Sequence, residues 1–192
     1  MRKTILYLIT SCTVMCANFN TSVNITLRHE GSKLFKSKHG EVSKFGITKE
    51  VLKSWNKNVK IENLSKQQAI EIYKARYWTI SQLSKLESQA LANHIFDFSV
   101  NSGTYRASLE LQKMCNRFIR LYNMQNSAKL MLLDEDGICG TKTIETVNLL
   151  SNFFTSDILV QEYKVSRLTF LKRLGDKWDS YGKGWTYRIE NI

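Results

Sequence analysis

The sequence predicts an α+β fold that is predominantly α-helical, with one small β-hairpin in its first third. Two patterns and the composition lead to this prediction. After residue 65, apolar residues recur every three or four positions, which is the spacing of amphipathic helices. The glycine-bounded segment 40–48 alternates between apolar and polar residues instead, as a strand does. Hydrophobic residues make up 43% of the 192 residues, which is enough for a folded globular core.

The first seventeen residues have the pattern of an export signal. Arg2 and Lys3 form a positive start, and an apolar-rich stretch follows over residues 5–17. This stretch is too short to span a bilayer and suits a secretory signal. We therefore predict a signal peptide at 1–17 and a protein that is secreted or periplasmic. The alternatives are a lipoprotein signal, which would leave a lipid anchor on Cys12, and an uncleaved anchor.

The chain is strongly basic. It carries 28 Lys and Arg residues against 17 Asp and Glu, a net charge of +11, and loss of Arg2 and Lys3 with the signal would leave 26 against 17, or +9. A basic exported protein is attracted to anionic polymers, and bacterial cell wall and nucleic acid both qualify. The basic residues are scattered rather than gathered in an arm with aromatic residues, which disfavours nucleic acid. The simplest alternative is an ordinary solvated surface.

Two of the four cysteines belong to the predicted signal, which leaves Cys115 and Cys139. In an exported protein such a pair forms a disulfide or remains as two buried thiols, and the sequence leaves both open. The three histidines are not spaced as a ligand set, so we predict no metal and no cofactor.

The first helices are predicted from their caps. Ser65 and Gln68 form a capping box, and Ser84 with Glu87 forms a second one ahead of an apolar stripe that Gly103 terminates. The residues that should face the core in these two helices are Ala69, Ile72, Tyr73 and Arg76, followed by Leu86, Ala90, Leu91, Ile95 and Phe98.

Three more helices are expected in the C-terminal half, over residues 105–121, 143–153 and 157–174. Residues 134–137, Asp-Glu-Asp-Gly, predict a turn. The aromatic, glycine-bearing segment 175–192 is predicted to be a loop that folds back on the core. Because the chain has no proline and no Gly/Ser-rich run, we expect no flexible linker and a C-terminal region that packs on the rest.

Glu30 is the first candidate catalytic residue. It follows a short apolar stretch formed by Val23, Ile25 and Leu27 and precedes the hairpin, so a helix should end there against a sheet. A partly apolar site can keep a carboxylic acid protonated near neutral pH for general-acid catalysis. The simpler alternative is a solvated glutamate at the end of a helix.

Four motifs follow one another along the chain. They are Glu-Gly-Ser at 30–32, His-Gly-Glu-Val-Ser-Lys-Phe-Gly-Ile-Thr at 39–48, Tyr-Lys-Ala-Arg-Tyr-Trp at 73–78 and Asp-Phe-Ser-Val-Asn-Ser-Gly at 97–103. In this order they resemble glycoside hydrolase family 108, a group of lysozyme-like muramidases. The C-terminal third, through residues 136–143 and 184–189, resembles the companion peptidoglycan-binding domain of that family.

The resemblance implies a lysozyme-like fold with a catalytic domain at 18–110 and a peptidoglycan-binding-like helical region at 111–192 packed on it. It implies a secreted, antimicrobial N-acetylmuramidase that cleaves the β-1,4 bond between N-acetylmuramic acid and N-acetylglucosamine, with Glu30 as general acid. The expected partner is the peptidoglycan glycan strand, with no nucleic acid, no membrane span and a monomeric chain.

The second catalytic group is left open by the sequence. Residues 33–39, where family members carry aspartates, contain no acid here. Glu41 is the nearest acidic side chain, and Ser43 stands at the family's threonine, where a hydroxyl could hold the attacking water. Phe45 replaces the family's tyrosine as a candidate substrate contact. The acid-free loop also supports a different class of protein, a non-catalytic peptidoglycan binder that retains the fold.

Three further residues are candidate substrate contacts. Asp97 and Asn101 are four positions apart and share a helix face, which would line the floor of a cleft. Alternatively, Asp97 pairs with an arginine such as Arg106 or Arg28, and Asn101 satisfies buried backbone. Trp185 could stack on sugar rings, or it could pin the end of the chain onto the core.

Overall fold

A computed structural model describes residues 16–36 and 40–192. These residues form eight α-helices and one three-stranded sheet, so the predicted, predominantly helical α+β class is confirmed. In chain order the elements are α1 (Phe19–Glu30), β1 (Leu34–Lys36), β2 (Val42–Lys44), β3 (Ile47–Thr48), α2 (Lys49–Trp55), α3 (Lys66–Tyr73), α4 (Gln89–Ser102), α5 (Thr104–Gln125), α6 (Thr141–Phe153), α7 (Ser156–Lys172) and α8 (Asp176–Glu190).

The predicted signal segment lies outside the described residues, apart from Cys16 and Ala17, and so does Cys12. Of the helices that are described, none has both the length and the apolar character needed to cross a membrane. The same part of the chain contains no cluster of three or more His, Cys, Asp and Glu side chains that could hold a metal ion.

The sheet is antiparallel in the order β1–β2–β3. Leu34 of β1 pairs with Lys44, and Ser43 of β2 pairs with Thr48 of β3. The hairpin predicted over residues 40–48 is therefore present as β2 and β3. Strand β1 arises from the segment that was expected to be a loop, and its Phe35 side chain is 62% exposed.

Helix α4 is the centre of the core. Nine consecutive residues from Leu91 to Ser99 are buried, so this helix is covered on all sides, as a central helix must be. It packs against α1, α5 and α7. The boundary expected at residue 111 lies within α5, which runs without interruption from Thr104 to Gln125.

The two predicted capping boxes have different outcomes. Ser65 and Gln68 form theirs, because each side chain bonds the backbone N–H of the other at 3.2 and 3.0 Å. The box at Ser84 is wrong. Ser84 lies in a short 3-10 turn (Leu83–Lys85), and α4 begins only at Gln89, where the hydroxyl of Ser88 accepts the N–H of Leu91. Ala90, which was expected to face the core, lies in the first turn of α4 and is exposed.

The loop predicted over residues 175–192 is also wrong, because this segment forms α8. Glycine lowers helix propensity by about 1 kcal/mol relative to alanine, which is why Gly182 and Gly184 argued for a loop. Tertiary packing overrides this preference. The ring of Trp178 lies against Gly182, where a Cβ atom would be only 2.7 Å from the indole, and Ile189 is fully buried. Gly182 thus serves close packing rather than a turn.

Polar residues of α5 hold the long connection to α6. The Asn116 side chain donates to the carbonyl of Leu133 at 3.0 Å and accepts the N–H of Leu133 at 2.8 Å. The Gln112 amide donates to the carboxylate of Asp136 at 2.7 Å. These bonds fix the bend at residues 134–137 without any regular secondary structure.

The turn between β2 and β3 is packed against the end of α1. Phe45 and Gly46 both have positive φ, 53° and 71°. The Tyr73 hydroxyl donates to the carbonyl of Phe45 at 2.5 Å. A Cβ atom on Gly46 would lie 2.5 Å from Glu30 Oε2 and 2.6 Å from Tyr73 Oη. Only glycine leaves room for the Glu30 carboxyl group at this point.

Cys115 and Cys139 are separate thiols in the fold, 0% and 4% exposed. Burial raises the pKa of each to about 12, so both stay protonated and unreactive at neutral pH. We expect both to resist iodoacetamide in the folded protein and to be alkylated in denaturant without reductant. Peptide mass spectrometry distinguishes this outcome from a disulfide, which would leave both sites unmodified until reduction.

Replacement of Gly46 by alanine tests the close approach of the turn to Glu30. The matched control is Gly40→Ala, because Gly40 also has a positive φ, 84°, but has open space around its Cβ position. We expect backbone strain of about 1–2 kcal/mol in both variants. Gly46→Ala should lose a further 1–3 kcal/mol or so from overpacking against Glu30 and Tyr73. Equal unfolding free energies for the two variants in urea would contradict this view of the turn.

Candidate active site

Glu30 is the last residue of α1. The helix begins after Asn18, whose side chain accepts the N–H groups of Asn20 and Thr21 at 2.8 and 3.3 Å. It ends at Gly31, whose φ of 69° turns the chain away. The Glu30 side chain is 17% exposed, so the carboxyl group lies at a partly buried edge between α1 and the β2–β3 turn.

Arg188 of α8 makes the direct polar contact to Glu30. Its Nη2 atom is 2.7 Å from Glu30 Oε1. The same guanidinium binds Asp97 through Nη2 to Oδ1 at 2.7 Å and through Nε to Oδ2 at 2.9 Å. This paired arrangement fixes the plane of the guanidinium as well as its position. Arg188 therefore links the end of α1 to the middle of α4.

Asp97 is fully buried and accepts hydrogen bonds from two further residues. Arg167 of α7 donates to Oδ2 at 2.8 Å, and the Thr26 hydroxyl donates to Oδ1 at 3.1 Å. Burial alone would raise the pKa of Asp97, but Arg188 and Arg167 outweigh burial and lower it to about 2. The carboxylate is thus permanently charged at neutral pH.

The pKa values of the two arginines that bind Asp97 shift in opposite directions. Burial alone would lower the pKa of Arg188, but Asp97 and Glu30 together raise it above its ordinary value. Burial lowers the pKa of Arg167, and Asp97 offsets part of that effect. The guanidinium of Arg167 also lies 5.1 Å from the ring centre of Phe98, a cation–π contact.

Asp97 does pair with arginine, but the partners suggested by the sequence are wrong. Arg106 stacks on the rings of Tyr105 and Phe170 at 5.7 and 5.4 Å. Arg28 lies on another face of α1. The true partners, Arg167 and Arg188, are 70 and 91 positions away in the chain, a separation over which the sequence carries no helical-periodicity signal.

Asn101 is half-buried one helical turn beyond Asp97 and accepts the hydroxyl of Ser102 at 3.0 Å. Phe45 is buried in the β2–β3 turn, 9% exposed, and its carbonyl receives the Tyr73 hydroxyl. Asp97 is linked to Glu30 through Arg188, whereas Phe45 precedes Gly46, whose Cβ position would lie 2.5 Å from Glu30 Oε2.

Glu41 and Ser43 lie on the sheet side of the site. Glu41 is exposed and immediately precedes β2. Ser43 is half-buried in the middle of β2, paired with Phe35 and Thr48. Because side chains two apart in an extended segment lie on the same side, Glu41 and Ser43 share a side of the hairpin.

Trp185 lies on α8, three residues before Arg188, and is half-buried. Its ring is 5.8 Å from that of Tyr181 and 6.4 Å from that of Trp178. These three aromatic residues and Arg188 fall at intervals of three and four, so they lie along one face of α8.

Sequence reasoning did not identify Arg188 or Tyr73 as parts of the site. Both stand in the motifs that carry the family resemblance, but nothing in their local pattern assigns them to Glu30. The usable signal was the buried acid itself, since a carboxylate in the middle of an apolar helix requires a cationic partner.

A pocket of about 710 Å³ lies beside α1 and is lined in part by Gly31 and by Phe45 of the β2–β3 turn. Its lining includes four α1 residues at helical spacing, Thr21, Asn24, Ile25 and Arg28. Glu30 instead continues the row of Ser22 and Thr26, which faces α4. Glu30 itself is therefore not part of the pocket lining, although its neighbour Gly31 and the candidate contact Phe45 are.

Comparison with known proteins agrees with the sequence motifs. Residues 23–103 match the family model described as glycosyl hydrolase 108. Among solved structures, Brucella abortus SagA is similar, with a TM-score of 0.71 and 27% identity over 90% of this chain and 89% of that chain. None of the curated proteins matches the sequence.

The matched segment contains Glu30, Ser43, Asp97 and Asn101, whereas Arg188 lies beyond it. The structural similarity extends over α5 to α8 as well, and it agrees with the predicted helical, lysozyme-like α+β layout. The resemblance indicated by the four motifs is thereby confirmed: residues 23–103 are similar to the glycosyl hydrolase 108 family.

Proposed function

We propose that the protein is a peptidoglycan hydrolase, an N-acetylmuramidase that cleaves the β-1,4 bond between N-acetylmuramic acid and N-acetylglucosamine. The family match supports glycosidase activity on peptidoglycan. The observation that carries the proposal is the position of Glu30, a partly buried carboxyl group at a helix end, held between Arg188 and the glycine of a strand turn.

Glu30 would act as the general acid. Cleavage of a glycosidic bond needs a proton at the leaving oxygen while an oxocarbenium-like charge develops on the sugar. One oxygen of Glu30 is bonded to Arg188, and the other lies beside Gly46 at the turn. A single anchored carboxyl group with 17% exposure is suited to proton transfer at a fixed position.

Glu41 and Ser43 are the proposed second group. Ser43 would hold the attacking water through its hydroxyl, and Glu41 would stabilise the developing positive charge or orient that water. Both residues lie on the same side of the hairpin, and Ser43 is two residues before Phe45, the first residue of the turn that packs against Glu30. This position supports the assignment. Asp97 has no accessible surface, so its proposed contribution is indirect, through Arg188.

Phe45, Asn101 and Trp185 remain proposed contacts to the glycan. Trp185 is supported by its aromatic neighbours and by its position on the helix face that leads to Arg188, since aromatic rings stack on the apolar faces of sugars. Its half-burial equally suits packing of α8 against the core. The basic charge of the chain would favour association with the anionic cell wall.

Action on peptidoglycan implies an extracytoplasmic location, and we propose a secreted or periplasmic protein. The competing class is a peptidoglycan-binding protein without catalysis. Incubation of the purified protein with isolated peptidoglycan distinguishes the two, because only the hydrolase releases soluble disaccharide-containing fragments.

Glu30→Gln tests the general acid. The amide keeps the shape and its oxygen can still accept the hydrogen bond of Arg188, but it cannot donate a proton to the leaving oxygen. Fragment release should fall on the order of 10²–10⁴-fold, with the melting temperature little changed. The matched control is Glu145→Gln on the exposed side of α6, which makes the same change in charge and should leave activity intact. Near-wild-type activity of folded Glu30→Gln would exclude Glu30 as the acid.

Glu41→Gln tests the second group. If Glu41 orients water or stabilises the sugar cation, fragment release should fall on the order of 10²-fold. The same Glu145→Gln control applies. An unchanged rate would transfer the role to Ser43, for which Ser43→Ala is then the informative variant.

A further inference from the structure

Arg188 distinguishes the two carboxyl oxygens of Glu30. Its Nη2 atom is 2.7 Å from Oε1. The position of Oε2 is different, because it faces the space that a Cβ atom on Gly46 would fill, 2.5 Å away. The two oxygens therefore have a cationic donor on one side and the backbone of the strand turn on the other.

Arg188 has little freedom to move away from this position. Two of its nitrogens bond both oxygens of Asp97, and Asp97 is held in turn by Arg167 and Thr26. The Arg188 side chain is only 12% exposed. Because Asp97 fixes the plane of the guanidinium, the N–H groups of Arg188 that remain can donate to the Glu30 carboxylate only from a fixed direction.

We propose that Arg188 is the positioning residue of the general acid: it keeps Oε1 as an acceptor, so that Oε2 carries the proton and reacts. This inference rests on the proposed function of Glu30. A guanidinium has donors only, so Oε1 cannot bear a proton while it faces Nη2. The acid proton is consequently directed to Oε2, on the side of the β2–β3 turn, where Glu41 and Ser43 lie on the adjoining strand segment.

Arg188 also acts on the charge that the reaction creates. In the cleavage step, Oε2 gives its proton to the leaving glycosidic oxygen as the bond from that oxygen to the anomeric carbon breaks. Water then adds its oxygen to the anomeric carbon and releases a proton, which restores the acid form of Glu30. The carboxylate that forms in the first step is stabilised by Arg188, an interaction that grows stronger towards the transition state.

Three ionisable groups around Glu30, namely Tyr73, Tyr77 and Asp97, do not change their charge in the working pH range. Tyr73 and Tyr77 are both neutral there, because burial, reinforced for each by the charge of Glu30, raises the pKa of each hydroxyl. Asp97 remains charged, with a pKa of about 2. A shift of the alkaline limb of activity on substitution of Arg188 is therefore not caused by these three groups.

The test compares Arg188→Met and Arg188→Lys with Arg120→Met, which removes the same charge from an exposed position on α5. All are full-length chains, checked by thermal melting, and assayed on isolated peptidoglycan from pH 4 to 9 or so. The carboxyl carbon of Glu30 is followed by NMR in protein labelled at glutamate, with its signal identified by its absence in Glu30→Gln.

Loss of the cation should favour the protonated carboxyl group. In Arg188→Met we expect the alkaline limb of activity to move up by at least about one pH unit. Misplacement of the acid should also reduce the maximal rate on the order of 10²-fold. Arg188→Lys retains a cation but not the planar guanidinium group. Its alkaline limb of activity should therefore stay at the wild-type pH, whereas its maximal rate should fall. Arg120→Met should match the wild type in both.

The inference is overturned if Arg188→Met folds and its Glu30 signal and alkaline limb stay at the wild-type position, whatever the rate. If Arg188→Met does not fold, Arg188→Lys decides the question, since a wild-type rate in that variant excludes a role for the guanidinium fork. Absence of fragment release by the wild type would instead reject the proposed function, and the NMR titration would still test how Arg188 acts on Glu30.

Discussion

The charge of Asp97 is the constraint on which the rest of the structure depends. A carboxylate without solvent contact in the centre of α4 is tolerated only because two arginines and a threonine hydroxyl surround it. These partners come from α7, α8 and α1, so one side chain joins four helices. Removal of a partner from such a buried pair typically costs about 3–5 kcal/mol, because the remaining charge stays buried. Correct docking of the C-terminal helices and stability of the central helix are thus coupled.

This coupling extends to the candidate active site. Arg188 donates to Asp97 and Glu30 with the same guanidinium, so the carboxyl group at the end of α1 is positioned by a residue 158 positions later in the chain. The family match ends at residue 103, whereas the similarity to SagA covers 90% of the chain. Glu30 lies within the segment that the family model matches, but Arg188, which contacts it directly, lies outside that segment. A description of residues 111–192 as a separate binding module leaves out this contribution to the site.

The sequence departs from the motifs of the glycosyl hydrolase 108 family in the segment before the hairpin, and this segment forms a strand in the structure. Residues Leu34–Lys36 form an exposed edge strand with one lysine and no acid. The nearest carboxylate, Glu41, precedes the central strand of the same sheet. The ion pair at Glu30 and the glycine turn beside it do not depend on the missing acid. The two proposed classes, hydrolase and binder, thus differ in chemistry at the hairpin rather than in the architecture around Glu30.

Local sequence determined the features that depend on neighbouring residues. The helix end at Glu30, the hairpin of β2 and β3, the capping box of Ser65 and the stop at Gly103 follow from caps, glycines and periodicity, which act over a few positions. The four motifs indicated the fold for the same reason, because each is a short segment whose residues are close together in the chain. The start of α4 was misjudged where two serines competed as caps, Ser84 and Ser88, and only the packing of the turn before the helix selects between them.

Tertiary structure alone decided α8 and the partners of Asp97. Glycines at 182 and 184 oppose a helix locally, but contact of Trp178 with Gly182 and burial of Ile189 stabilise one. The pairing of Asp97 with Arg167 and Arg188 was beyond the sequence, which contains 28 basic residues and no rule for choosing among them. The physical reason is common to both cases: burial and charge compensation act between residues that are distant in the chain, so they are defined only when the helices have packed.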